Sequence, residues 1–402
     1  MHKYKALVIS IIFAVTGCEQ PGAGSKTLPP PGEPELSFSE PDEESFDYVI
    51  RRDGRLIGGP RMQEVYEPVP LDTFDLPFID GAFVDALEQN LNLLELQTRI
   101  KNQQVGSLRI NSEDLKRAIE ILKAWQQTKP FGIQSQLEAY QIWGNDRRGN
   151  VRFTGYFTPV LEVSKKPKGR FQHPIYSRPL DWEGDLPTRA QIEGEGALKG
   201  LGLELAYASN KVEVYYMQVQ GSGYVEYPDG SRELFAYNGT NRQPYRSIEK
   251  FILSREDIGP KNLSIRGIRR YLEENEHLAD TVLFYNPSYT FFTRKRSTPK
   301  GAGNVPLTDN FSIAVDRRYI PLGSCLLAAF PVFDHRRQRV VGYDYRYFVA
   351  QDVGGAIKGP GHVDVYTGTG RQAARQAGRI NNYGRLWLLL PKQPKAYFIS
   401  SE

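Results

Sequence analysis

Asp352-Val353-Gly354-Gly355-Ala356-Ile357-Lys358-Gly359-Pro360-Gly361-His362-Val363-Asp364-Val365-Tyr366 is the stretch on which the reading of this chain turns. If residues 363–366 form a β-strand, successive side chains alternate between its faces. Asp364 and Tyr366 then share one face, while Val363 and Val365 point into a core on the other. A lone carboxylate on the open face of a core strand, beside a tyrosine, is a poor choice for stability. Glycines at 354, 355, 359 and 361 let the backbone approach a ligand closely. A plainer reading stays open, and the residues alone favour it: a glycine-rich turn carrying two solvated aspartates.

Outward from this stretch the pattern is of short strands. They are expected at 311–315, 325–333, 340–350, 362–366 and 385–390, with an earlier β-rich run, Val151-Arg152-Phe153-Thr154-Gly155-Tyr156-Phe157-Thr158, ending at Pro159. Residues 212–227 alternate across Gly221 and Gly223 and run into the turn Pro228-Asp229-Gly230, so they too read as strand. One helix, around 264–275, interrupts the series. Before residue 150 the period is helical. Asn111-Ser112-Glu113-Asp114 reads as a helix start, followed by Leu115, Ala118, Leu122 and Trp125 on one face. Residues 80–96 behave likewise, with Phe83, Ala86, Leu87 and Leu91. Many short strands with Gly/Pro turns and no βαβ alternation imply barrels rather than a parallel sheet, so the expected fold is mainly β with some α.

The N-terminus sets an expected compartment. Residues 1–17 have a basic start, a short apolar run and small residues before Cys18, the layout of an exported signal too short to span a bilayer. Gly17-Cys18 makes it a lipobox, with Val15 where leucine is usual; an ordinary secreted protein with a chance cysteine is the alternative. Acylation of Cys18 would anchor the chain by lipid alone. Glu19, in place of aspartate, favours the outer membrane, periplasmic face. Residues 18–47 hold six prolines and the acidic Asp42-Glu43-Glu44, a composition that cannot bury a core and reads as a tether.

Several chemistries are set aside. Charges nearly cancel, 51 basic against 47 acidic, so no nucleic-acid surface is expected. The only cysteine after Cys18 is Cys325, in Leu322-Gly323-Ser324-Cys325-Leu326-Leu327, a buried small hydrophobe rather than a nucleophile. Gly368-Thr369-Gly370-Arg371-Gln372-Ala373 fits a dinucleotide fingerprint, but the only acid after it is the terminal Glu402. Gly221-Ser222-Gly223 lacks the spacing of a nucleophile elbow. The five histidines are scattered without metal-ligand spacing, so neither metal nor cofactor is expected.

Asp316-Arg317, then residues 350–359, then Val363-Asp364-Val365-Tyr366 resemble a three-aspartate domain. Phe153-Thr154-Gly155-Tyr156-Phe157-Thr158-Pro159-Val160, Val219-Gln220-Gly221-Ser222-Gly223-Tyr224, Tyr245-Arg246-Ser247-Ile248, Asn286-Pro287-Ser288-Tyr289 and Asn382-Tyr383-Gly384-Arg385 resemble the membrane-bound lytic murein transglycosylase A family. The resemblance implies a double-psi β-barrel domain with a second β-domain inserted into it and a glycan groove between them. Carried over, the barrel and its N-terminal helices take 48–158 and 300–402, and the insert 159–299. It implies cleavage of the β-1,4 bond between N-acetylmuramic acid and N-acetylglucosamine in peptidoglycan, leaving a 1,6-anhydro ring. The family's catalytic aspartate falls on Asp364, a second groove aspartate on Asp352, and Thr154 and Tyr156 on the strand facing it.

Ordinary glycosidases use two carboxyls. A lytic transglycosylase needs one, because the muramic acid's 6-hydroxyl attacks and a single residue serves as acid and then base. Asp364 must then be protonated near neutral pH, and partial burial plus the like charge of Asp352 push its pKa that way. Asp352 is expected to act electrostatically or by position, with a hydrogen-bonded turn aspartate as the alternative. Asp316 is a candidate groove residue or a holder of its turn. Gln220 and Ser222 are candidates for N-acetyl or hydroxyl groups, or a plain glycine-containing bend. Lys358 is a candidate for substrate charge or a solvated loop residue, and Tyr366 is a candidate substrate contact. Glycan strands are the expected partner, with cell-wall synthesis or division proteins as further candidates. Two competing functions remain: a hydrolase in which Asp352 activates water, and a non-catalytic glycan-binding lipoprotein.

Overall fold

The computed structural model describes residues 60–96, 102–128, 132–255, 257, 265–334, 336 and 339–392. The expected signal, Cys18 and the tether lie outside the described residues. Six strands close into a barrel: β1 Val151–Thr158, β2 Ser312–Ala314, β3 Cys325–Asp334, β4 Arg339–Asp352, β5 His362–Thr369 and β6 Asn381–Pro391. Around it the order is β1-β5-β2-β4-β3-β6, and the β6–β1 pairing closes the ring. The β1–β5 and β2–β4 pairs are parallel and the others antiparallel. This is the mainly-β barrel architecture expected, here closed by six strands. Strand Leu137–Ile142 extends the sheet beside β6, and Tyr66–Val69 pairs in turn with it.

The barrel closes around apolar side chains, carried at alternate positions on β1 and the start of β5 and at consecutive buried positions along β3 and β6. Val151, Phe153, Ile313, Leu327, Val349, Val363, Val365, Leu386 and Leu388 all lie in one buried cluster. Helices Gly81–Leu96 and Ser112–Thr128 cover it through the expected faces, Phe83, Ala86 and Leu87 from the first and Leu115, Ala118 and Leu122 from the second. Each helix start is capped by a preceding side chain. Asp80 Oδ1 accepts from Phe83 N, and Asn111 Oδ1 accepts from Asp114 N, both at 2.8 Å. Cys325 sits in the core, as its apolar neighbours imply.

Between β1 and β2 the chain builds a second, six-stranded sheet from Val160–Ser164, His173–Tyr176, Glu204–Ala208, Gly223–Glu226, Arg232–Thr240 and Thr290–Lys295. A bridge from Ser177 to Phe292 links its two edges. Its cores are separate from the barrel's.

Two expectations need correction here. Residues 212–220 are not strand but the helix Lys211–Gln220, started by Asn210, whose side chain accepts from Val212 N, and ended at Gly221 with φ 82°. Val214 and Met217 pack on the sheet while Val212, Tyr215 and Tyr216 pack on neighbouring helices. A helix buried on two sides has no single apolar stripe, so its period is hidden. The helix expected around 264–275 is also not alone. Ile248–Leu253, Glu276–Phe284 and Gly370–Ala377 are helical as well.

Candidate active site

The site is built by one parallel pairing. In the β1–β5 register His362 lies opposite Arg152, Asp364 opposite Thr154, and Tyr366 opposite Tyr156. Two rows of alternate residues thus meet on one face, while the intervening Val363, Val365 and Phe153 anchor both strands in the core.

Asp364 is half-buried at the centre of this face. Thr154 Oγ1 donates to its Oδ1 at 2.8 Å, and the same hydroxyl lies 2.9 Å from His362 Nε2. Burial pushes the carboxyl up to about 7; the Thr154 hydrogen bond opposes this, the like charge of Asp352 adds to it, and Arg152 opposes it. Asp352, at the end of β4, has both oxygens engaged. Oδ1 accepts from the N–H groups of Ala302 and Val353, each at 2.8 Å, and Oδ2 accepts from the Tyr156 hydroxyl at 2.9 Å. Burial nevertheless holds it above the ordinary carboxylate range, against those three hydrogen bonds.

The other candidates are distributed differently. Tyr366 is 2 % exposed, its ring 5.2 Å from that of Tyr156 and its hydroxyl 2.9 Å from Thr158 Oγ1. It underpins Tyr156 and, buried as it is, leaves little of its ring for the substrate contact considered for it. Asp316 is buried and tied to its own turn. Arg318 pairs with its Oδ2 at 2.6 Å, and Gly359 N donates to the same oxygen at 2.9 Å. Burial raises its pKa, but these donors outweigh it and leave the group below the usual range. That is the geometry of the turn-holding alternative, and it also pins the loop before β5. Lys358 is exposed on that loop. Gln220 ends its helix with Oε1 accepting from Phe157 N at 3.0 Å, so it joins the inserted unit to β1. Ser222 follows it, half-buried, at the same junction. Gly361 serves the chain itself, since a Cβ there would fall 2.3 Å from Asn145 N.

Sequence reasoning passed over His362 and Arg152. Both sit two residues from a named candidate on the same strand, so the period-two rule that placed Asp364 would have found them. Burial first, then Arg152, lowers His362 to about 4, which leaves it neutral at pH 7. Arg152 Nε donates to Asn381 Oδ1 at 2.9 Å. Among the described residues no group of three or more His, Cys, Asp or Glu is placed to hold a metal ion.

Comparison with known proteins follows the same division. A family model described as the MltA specific insert domain matches residues 152–293, and one for the 3D domain matches 311–390. Membrane-bound lytic murein transglycosylase A of Escherichia coli K12 is 39 % identical over 325 residues, covering 79 % of this chain and 87 % of that protein. The Vibrio cholerae protein of the same name is 38 % identical over 262 residues, 64 % of this chain and 69 % of its own. The crystal structure of E. coli MltA with bound chitohexaose matches with a TM-score of 0.71 at 32 % identity, covering 85 % of this chain and 98 % of that one. A membrane-bound lytic murein transglycosylase from Agrobacterium tumefaciens matches with a TM-score of 0.66 at 27 % identity, over 81 % and 97 %. With the barrel, the insert and the facing strands all accounted for by these relatives, the chain belongs to the membrane-bound lytic murein transglycosylase A family.

Proposed function

We propose that this protein is a peptidoglycan lytic transglycosylase with Asp364 as its single acid and base. The observation that carries the reading is a half-buried carboxyl, pushed up to about 7, held by Thr154 on the strand face it shares with His362 and Tyr366. Near neutral pH a large share of such a group is protonated and able to transfer that proton. In the first step the proton passes from Asp364 to the glycosidic oxygen that becomes O4 of N-acetylglucosamine. The bond from that oxygen to C1 of N-acetylmuramic acid breaks. The muramic acid's 6-hydroxyl then bonds to C1 while its proton goes to the Asp364 carboxylate. Water is not consumed, and the acid is restored for the next cycle.

The surroundings of Asp352 favour this over hydrolysis. A base that activates water needs a lone pair free to take its proton, and three of the roughly four acceptor sites of Asp352 are already occupied by protein donors, with one left on Oδ2 beside the Tyr156 hydroxyl. Its role is electrostatic, as a like charge that helps hold the proton on Asp364. Thr154 orients the acid and Tyr156 holds Asp352. Gln220 and Ser222 stand where the insert meets β1, and on this reading they would face the glycan. The bound chitohexaose of the E. coli relative supports an extended sugar chain as ligand. Cys18, acylated, and the tether after it would hold the enzyme at the periplasmic face of the outer membrane, with its substrate in reach.

The test is digestion of purified sacculi followed by mass spectrometry of the released fragments. The expected ends are 1,6-anhydro-N-acetylmuramic acid, with activity unaffected by chelator. Reducing N-acetylmuramic ends would favour the two-aspartate hydrolase, and intact sacculi the binding module.

A further inference from the structure

Thr154 Oγ1 has one proton and two close partners that compete for it, His362 Nε2 at 2.9 Å and Asp364 Oδ1 at 2.8 Å. A third contact, to the carbonyl of Val363, is longer at 3.4 Å. A hydroxyl between two such groups donates to one and accepts from the other. If Nε2 of the imidazole lacked a proton, it would draw the threonine's proton away from the carboxylate. If Nε2 carries the proton, it donates to Thr154, whose own proton is then committed to Asp364.

We propose that His362 is a positioning residue for the reaction, with its Nε2–H donating to Thr154 Oγ1 so that Thr154 always donates to Oδ1 of Asp364 and the transferable proton resides on Oδ2. This rests on Asp364 being the acid. The arrangement makes one carboxyl oxygen a fixed acceptor and the other the working atom in both steps. Oδ2 gives the proton to the leaving oxygen and later takes the proton of the 6-hydroxyl, and the side chain does not turn between them.

The charged and titratable groups facing His362 are Arg152 on β1 and Asp364 on its own strand, with Asp352 beyond Asp364. Burial beside Arg152 keeps the imidazole neutral. A cationic histidine would donate to Thr154 equally well, but its charge would pull the proton off Asp364. A neutral Nε2–H tautomer supplies the donor without the charge.

Two experiments test this. In the wild-type protein, 15N NMR of the imidazole at pH 7 should show a neutral ring protonated at Nε2. A ring protonated at Nδ1, or a cation, would overturn the proposal whatever the variants do. In kinetics, His362→Leu should lower kcat by about tenfold or more with KM little changed, the cost of a misplaced catalytic group. His362→Gln, whose amide can donate from the same place, should restore most of kcat. Thr154→Val should cost far less in the His362→Leu background than in wild type, because both remove one relay. Additive losses, or a His362→Gln as poor as His362→Leu, would refute it. Should His362→Leu not fold, the tautomer and the His362→Gln rates still decide. Asp364→Asn with normal turnover would sink the assignment of the acid while leaving the tautomer result standing.

Discussion

Replacing Asp364 with asparagine separates what the carboxyl does for catalysis from what it costs the fold. Asparagine keeps the size and can still accept from Thr154, but it has no acidic proton and cannot ionise. Cleavage should fall by at least about 10²-fold. The same change should stabilise the protein, and only above a certain pH. The carboxyl stands at about 7, against an ordinary value of 3.8, mainly because it is buried. Below about pH 4 the folded and unfolded chains both hold the proton, and the group leaves stability unchanged. From about pH 4 to 7 the unfolded chain loses that proton while the folded chain keeps it, so stability falls as pH rises. Above about 7 both are ionised and the loss is constant. At about 1.4 kcal/mol per tenfold change in proton affinity, the full loss is roughly 4 kcal/mol, an upper figure because the group is partly solvated. Urea unfolding of both proteins at several pH values reads this directly. The stability gained by Asp364→Asn should be near zero in acid, grow towards neutral pH and then level off. A gain independent of pH, or a mutant less stable than wild type above neutral pH, would refute burial as the source of the raised pKa. Near-wild-type turnover would refute the assignment of the acid.

Asp352→Asn should slow cleavage less than Asp364→Asn and move the alkaline limb of the kcat/KM profile to lower pH, because removing the like charge lets Asp364 deprotonate sooner; an unmoved limb would show that the two carboxyls do not interact. Gly155→Ala should cost about 1–3 kcal/mol, read as a lowered melting temperature, since its Cβ would fall 2.6 Å from Ala377 Cα where the helix Gly370–Ala377 packs on β1. An unchanged melting temperature would mean that this contact relaxes freely. Cys18→Ala should release the protein from membranes while the soluble domain stays active; recovery in the outer-membrane fraction at the wild-type level would rule out the lipid anchor.

The strands that make the barrel were legible because they are β-rich runs between turns, some alternating, as Val363 and Val365 do around Asp364, and others, such as Cys325–Asp334, apolar almost throughout. The N-terminal helices were legible because each has one buried face and a capping side chain. Helix Lys211–Gln220 was not, since both of its sides are buried and the amphipathic signal is lost. The local sequence also determines that Asp364, Tyr366 and His362 share a face, a consequence of strand geometry alone. It does not determine what lies across from them. The β1–β5 pairing joins residues 208 to 210 positions apart, as in the Thr154 contacts to His362 and Asp364. Such register is set by the closure of the whole barrel, which decides which strand edges meet. The raised pKa of Asp364, the engagement of both Asp352 oxygens, the burial of Tyr366 and the tie of Asp316 to Arg318 and Gly359 all follow from that closure. Solvent exclusion and distance govern these properties, and both exist only once the chain has folded.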